Sequence, residues 1–415
     1  MRAGIVILGA LLTAVAPGCG RSPASRTAGA TAAAPPRGGA TTARAAVEAA
    51  LKTAPDDPSL HVELALLERA DGELPAAVKR LTEAWRRFPR HPRAPFHLGL
   101  LHLANGNAVA AVAPLEAAAA AAPGDAELQY HAALALFRAG MEPQAREYAA
   151  RAHRLDPDHP QTWLLLARLN DHHGTALKAI AYAKGYLARS PEPAPGLYLI
   201  GRIYARLGSK EEAAEWLNRA AETDPHNVET LVTLGRVYYE MFKGERTKDG
   251  IALFQRALQL QPDHWEAHRF LARAAMDERR FQDAVDHFEA ALKTAPRPYD
   301  FTYDYGQALL RAGRSEEGGR VLARYEAYRK ARERFDRETA RLSKRIQARP
   351  RDRGPRYELA RFCLSMGQVA AAENVLRETA QALGTDTTLE NLMKAVQAAR
   401  AAGPAGVLGG GHGRS

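Results

Sequence analysis

The sequence predicts an all-α solenoid, and three observations lead to it. Prolines recur at a fixed interval: Pro55, Pro89, Pro123, Pro157, Pro191 and Pro225 are each 34 residues apart, and Pro262 and Pro296 follow at 37 and 34. Between them a small residue, a glycine and an alanine keep a constant frame, as at Gly99, Gly106 and Ala111 or Gly201, Gly208 and Ala213. The chain is also very rich in alanine with few β-branched runs, a composition that favours helix. A period of this length marks a stacked array in which each unit contacts its neighbours.

The chain opens with Arg2 and an apolar run over residues 3–16, carrying Ile5, Val6, Ile7, Leu8, Leu11, Leu12 and Val15. The run is too short to span a bilayer comfortably and suits the core of a signal peptide. It ends in VAPGCGRS, residues 15–22, where a cysteine follows a small residue. This resembles a bacterial lipoprotein cleavage site. The resemblance implies a signal peptide over 1–18, Cys19 as the lipidated first residue of the mature chain, and a place in the bacterial cell envelope, periplasmic or at the outer membrane. Ordinary secretion and an uncleaved anchor are the other readings. Residues 19–42 read as a disordered tether, because Gly, Pro, Ser, Thr, Ala and Arg leave almost nothing to bury.

The array is expected over 43–383. Its contact positions on each first helix are small: Ala65, Gly99, Ala133, Ala167, Gly201, Gly235, Ala272 and Gly306. The facing positions on the second helix are Ala77, Ala111, Ala145, Ala179, Ala213 and Ala284. Gly201 sits inside a helix, where glycine costs roughly 1 kcal/mol relative to alanine. Close helix contact offsets that cost. Gly208 can take the left-handed conformation that ends a first helix. The prolines end each second helix, and a neighbouring Asp or Asn starts the next.

These residues and their spacing resemble the tetratricopeptide repeat. The resemblance implies antiparallel helix pairs stacked into a right-handed superhelix of about eight or nine copies. The sixth unit carries three extra residues, so that 240–254, EMFKGERTKDGIALF, should bulge at the turn between its helices. The eighth lacks a closing proline, and its second helix should run on over about 315–348. There Val321, Tyr325, Tyr328, Phe335, Leu342 and Ile346 keep an apolar stripe. A degenerate ninth unit contains Tyr357, Leu359, Ala360, Gly367, Ala372 and Leu376. A cap helix over 384–402 closes the array, and the tail, 403–415, reads as disordered.

No catalytic signature is present: no GxSxG, HExxH, phosphate-binding loop or dinucleotide fingerprint. Two cysteines, Cys19 and Cys363, exclude a disulfide scaffold and a zinc site of paired cysteines. Cys363 aligns with core positions held by Tyr204 and Tyr238. His264 and His268 are four apart, but His91, His159 and His264 recur in the turns after repeat prolines, which reads as turn composition. Neither a metal nor another cofactor is expected.

Arg168, Arg202, Arg236 and Arg273 each follow the small packing residue directly, in one register. In tetratricopeptide arrays that position faces the concave groove. The resemblance therefore lines four guanidiniums on the inner surface, with Tyr198, Arg206, Tyr239, Arg269 and Tyr303 facing the same way. Guanidinium forks beside aromatics suit carboxylates of an extended acidic peptide. Alternatively, neighbouring acids such as Glu229, Glu240, Glu266 and Asp277 pair with them. Toward the N-terminus the same face turns apolar, at Val62, Leu66, Phe96, Leu100, Tyr130, Leu134 and Phe137.

The net charge of +10 concentrates in residues 311–361, with 17 Arg and Lys against 8 Asp and Glu. That is either a solvated face with intrahelical pairs such as Glu333 with Arg337, or a surface for anionic headgroups or an acidic partner. The expected function is a non-catalytic scaffold, docking a protein or peptide near a membrane to which Cys19 holds it. The alternatives are an adaptor or chaperone for secreted proteins, or an accessory subunit of a glycan-active or export complex. Neither nucleic acid nor a small-molecule substrate is expected.

Overall fold

The computed structural model describes residues 37–402, apart from positions 173, 243, 297 and 298. The expected signal peptide, Cys19, most of the tether and the glycine-rich tail lie outside the described residues. Among those described are twenty α-helices, one π-helical turn and no strands. The first helix begins at Arg37 rather than at 43, so helix includes the last residues expected in the tether. The chain divides into two compact units between Ala139 and Gly140.

The first unit holds α1 (Arg37–Thr53), α2 (Pro58–Ala70), α3 (Leu74–Arg87), α4 (Arg93–Ala104), α5 (Ala108–Ala121) and α6 (Ala126–Arg138). Its core joins Val62 and Ala65 on α2 to Ala77, Leu81 and Ala84 on α3, and to Ala94, Leu98 and Leu101 on α4. The expected caps are present on α2 and α6, where Asp57 accepts from the Ser59 amide and Asp125 from the amides of Glu127 and Leu128, but α4 begins after Pro92 without a side-chain cap. Glu68 is buried and accepts from Arg80 Nη2 at 2.6 Å, joining α2 to α3. On the apolar face the rings of Phe96 and Tyr130 both pack against His131.

The second unit begins with α7 (Glu142–Leu155), α8 (Pro160–His172), α9 (Ala176–Leu187), α10 (Ala194–Leu207) and α11 (Lys210–Thr223). There follow α12 (Val228–Arg236), which runs into a π turn over Val237–Met241, then α13 (Thr247–Leu260), α14 (Trp265–Asp277) and α15 (Phe281–Thr294). It ends with α16 (Tyr299–Arg311), α17 (Ser315–Ala348), α18 (Gly354–Ser365), α19 (Val369–Leu383) and α20 (Thr387–Ala402). From α8 onward each first helix packs on the second helix that follows it, and successive first helices α8 and α10, α12 and α14, and α14 and α16 touch side by side.

The small residues act where the frame put them. A Cβ built on Gly201 would lie 2.6 Å from Leu217 Cγ and 3.0 Å from the Leu217 backbone nitrogen. The equivalent obstacles are Leu115 for Gly99, Phe254 for Gly235 and Leu322 for Gly306. The glycine thus makes room for a large residue of the second helix, whose burial is worth about 1.5–3 kcal/mol. That outweighs the loss of helix propensity. Gly208 has φ +83° and ends α10 as expected. In the seventh unit Arg279 holds the same place at φ 59°.

The sixth unit differs from the expectation. Its extra residues do not all bulge at the turn. Part is absorbed by widening the end of the first helix into the π turn, the usual way a helix accommodates an inserted residue. The rest forms a turn in which Gly244, at φ +83°, donates its amide to Thr247 Oγ1 at 3.1 Å. The segment is pinned by Arg246, whose guanidinium lies 3.6 Å from the centre of the Tyr238 ring. Opposite Gly235 the second helix carries Gly250, and a Cβ there would lie 2.7 Å from the Gly235 carbonyl oxygen.

The long helix has the expected bounds, and its apolar stripe is used. Tyr328 stacks on Tyr299, Tyr325 meets Tyr303, Phe335 stacks on Phe362, and Leu342 is buried. Leu342 joins Tyr357, Ala360, Cys363 and Leu376 in one core, which Leu389, Leu392 and Val396 of α20 close. Burial raises the Cys363 thiol above its ordinary value, so it is a packing residue. One charge pairing needs correction: Glu333 pairs with Arg329 at 3.4 Å, not with Arg337.

Candidate functional site

The arginine register lies on the first helices of the second unit, and the structure gives most of its members acidic partners. Arg202 Nη2 donates to Asp171 Oδ2 at 2.6 Å, and Arg206 Nη2 to Asp171 Oδ1 at 2.5 Å. The Asp171 side chain is only 9% exposed, while the two arginines remain 38% and 47% exposed. Glu266 lies 3.6 Å from Arg236 and 3.7 Å from Arg269. Glu240 accepts from Arg273 at 3.1 Å. Arg168 makes no ion pair among the described residues; its charge acts on Tyr186.

The expected strip of bare positive charge is therefore broken. Arg202 and Arg206 share one carboxylate, and Arg236 and Arg269 share another. The physical reason is the stacking of first helices: a carboxylate near the end of one stands beside a guanidinium on the next. Glu240 and Glu266 were legible as candidate partners. Asp171 was not, because it sits 31 residues before Arg202. The signal that could have found it is a separation close to one repeat.

Arg202, Arg206 and Arg236 are brought together. With Asp171, His172, Ala205, Val237, Glu240 and Met241 they line an open pocket of about 610 Å³. The π turn supplies one wall of it, through Val237, Glu240 and Met241. A guanidinium has five N–H donors in a fixed fork. Asp171 holds the Arg202 and Arg206 forks in place while leaving several of those donors free for a ligand. Tyr198 lies beside this group, its ring 5.9 Å from the Arg202 guanidinium and its hydroxyl 3.5 Å from Thr233 Oγ1. Burial raises its pKa above the usual tyrosine value.

Tyr239, Arg269 and Arg273 form a separate cluster around Phe270. The guanidiniums of Arg269 and Arg273 lie 4.5 and 5.8 Å from the Phe270 ring centre, and Tyr239 packs edge-on to it. Tyr239 is a correction to its expected role, because it is buried and its hydroxyl donates to Asp277 at 2.6 Å. Burial and that carboxylate push its pKa well above the ordinary tyrosine value. Arg269 is mostly covered, and burial pulls its pKa below the usual arginine value against the opposing pull of Glu266. Tyr303 stands apart, 48% exposed and packed on Tyr325.

The two candidate histidines separate. His264 caps α14, accepting from the Ala267 amide at 3.3 Å, and lies 3.5 Å from Glu229. His268 Nδ1 is 3.0 Å from His287 Nδ1. Among the described residues no group of three or more His, Cys, Asp or Glu side chains is placed to hold a metal ion. Nor is any helix there long and apolar enough to cross a membrane.

Three family models, each described as tetratricopeptide repeat, match this chain. One matches residues 37–79, 63–126, 240–286 and 271–331, the second 126–169 and the third 194–227. Together they cover more than half of the chain. The TPR repeat-containing protein YpiA of Bacillus subtilis is 28% identical over 181 residues, 43% of this chain and 42% of YpiA. Superkiller protein 3 of Saccharomyces cerevisiae is 26% identical over 113 residues, 27% of this chain and 8% of that protein. The chain thus spans less than half of either relative. Among solved structures, YrrB, described as a TPR protein with an unusual peptide-binding site, superimposes with a TM-score of 0.41 at 21% identity. That match covers 46% of this chain and 97% of YrrB.

Proposed function

The chain belongs to the tetratricopeptide repeat family, and we propose that it is a non-catalytic scaffold whose docking site is the pocket between Asp171 and Glu240. Tetratricopeptide proteins generally mediate protein–protein interaction, and that much extends to this chain. The single observation that carries the finer reading is the pair of guanidiniums on Asp171. A nearly buried carboxylate fixes two exposed forks, so a ligand carboxylate or peptide carbonyl meets donors that are already oriented. Preorganisation of this kind lowers the ordering cost of binding.

The partner is a polypeptide segment that presents an acidic side chain to Arg206 and Arg236. It need not be acidic throughout, since Glu240 and Glu266 already offset part of the charge on this face. The lipid anchor at Cys19 belongs to the same proposal: residues 19–36 would tether the scaffold to a membrane of the cell envelope. Radiolabelled fatty acid incorporation into the wild type, and its loss in Cys19→Ala, tests the anchor.

A photo-crosslinking residue placed at Ala205, on the pocket wall, tests the docking site against one placed at the exposed Lys178. A discrete polypeptide adduct from position 205 alone, lost when Arg206→Glu is added, supports the pocket. Equal labelling from both positions, or labelling indifferent to Arg206, overturns it.

A further inference from the structure

The long helix α17 is covered on only one side. Its tyrosines, Phe335, Leu342 and Ile346 face α16 and the C-terminal core. On the opposite side Lys330, Arg334, Arg337, Arg341 and Lys344 follow one another at intervals of four and three residues, and all are exposed. That spacing keeps them in one row along the helix, and at 1.5 Å per residue the row is about 21 Å long. Arg341 pairs with Glu338 at 2.5 Å. The nearby acids Glu333 and Asp336 are occupied by Arg329 and Arg332. Lys330, Arg334, Arg337 and Lys344 make no ion pair among the described residues.

We propose that this row is a docking surface for an anionic lipid bilayer. The shape of the row selects among polyanions. It stands on the outside of a single helix, so no second wall forms a groove around an extended acidic peptide. The aromatic side chains of α17 are turned to the buried side, which leaves no stacking platform for bases of a single-stranded nucleic acid. A plane of headgroups needs neither. Lipids diffuse laterally, so anions gather under cations without any fixed register, and each cation close to such a surface strengthens binding about fivefold. The proposal does not depend on a lipid at Cys19.

The test is co-flotation of the full chain with vesicles of phosphatidylcholine, with and without phosphatidylglycerol. One variant carries Lys330→Gln, Arg334→Gln, Arg337→Gln and Lys344→Gln. A control carries Arg90→Gln, Arg138→Gln, Arg154→Gln and Lys178→Gln, exposed positions elsewhere that remove the same net charge. Circular dichroism first establishes that all three chains are equally helical. The apolar run at residues 3–16 contributes alike to all of them. The expected result is that wild type and control bind the anionic vesicles and are released by high salt, while the row variant binds at least about tenfold more weakly. Equal losses in both variants, or an undiminished row variant, overturn the proposal. So does tighter binding of polyglutamate or single-stranded RNA than of the vesicles, through the same row.

Discussion

Arg202 reaches from α10 to Asp171 on α8 and donates to its carboxylate at 2.6 Å, with Arg206 on the other oxygen at 2.5 Å. The contact ties two consecutive first helices together through one nearly buried charge. A charge-assisted hydrogen bond contributes roughly 1.5–3 kcal/mol when buried, and less where one partner is exposed. Asp171→Asn should therefore lower stability by about 1–2 kcal/mol in urea denaturation. Arg206→Gln should cost less, because Arg202 still holds the carboxylate. A neutral effect of Asp171→Asn would show that the carboxylate does not organise the two arginines.

The two kinds of helical glycine predict opposite effects of the same substitution. Gly201→Ala places a methyl against Leu217, and overpacking costs about 1–3 kcal/mol. A better helix propensity returns about 1 kcal/mol of that, so a net loss is expected. Gly319 is in the interior of α17, exposed, with nothing near its Cβ position. Gly319→Ala should stabilise by about 0.5–1 kcal/mol. Thermal unfolding of both variants, read in parallel, checks the pair.

Arg279 is the one non-glycine residue at positive φ among those described. Its side chain is exposed, so nothing is lost in packing when it is removed. The left-handed conformation costs a non-glycine residue roughly 1 kcal/mol or more, offset in part by the greater freedom of glycine when unfolded. Arg279→Gly should raise the unfolding midpoint. A lower midpoint would mean that the guanidinium contributes more than the strain costs.

His97, in the first unit, gives a pH dependence of defined sign. Burial, with the charges of Arg93 and Arg69 behind it, lowers its pKa to about 4 from 6.5. The unfolded chain takes up a proton near pH 6.5 and the folded chain does not. The contribution of the neutral ring is thus complete above that pH and is lost as pH falls toward 4, up to about 3 kcal/mol in all. His97→Gln should flatten the dependence of stability on pH across this window, measured by urea denaturation at a series of pH values. An unchanged slope would show that other groups cause it.

Much of the fold was legible because its signals are local. The bounds of α17 follow from a missing proline after Gly313 and an apolar stripe that continues through Ile346. The role of Gly201 follows from its place in the frame. The π turn was not legible, since an insertion of three residues does not itself say whether helix or turn absorbs it. The second helix approaches the first closely at Gly235 and Gly250, and the widening falls at the end of the first helix.

The candidate site was legible in its cations and not in their state. The sequence by itself determined the repeat, the helix pairs, the packing glycines and the register that sets Arg168, Arg202, Arg236 and Arg273 at equivalent positions. Recurrence from one unit to the next at a fixed spacing is enough for that. Only the tertiary structure decided that Asp171 clamps Arg202 and Arg206, that Tyr239 is committed to Asp277, and that the row from Lys330 to Lys344 keeps most of its charge free. These depend on which side chains meet when first helices stack one repeat apart, and on which face of α17 has nothing packed against it.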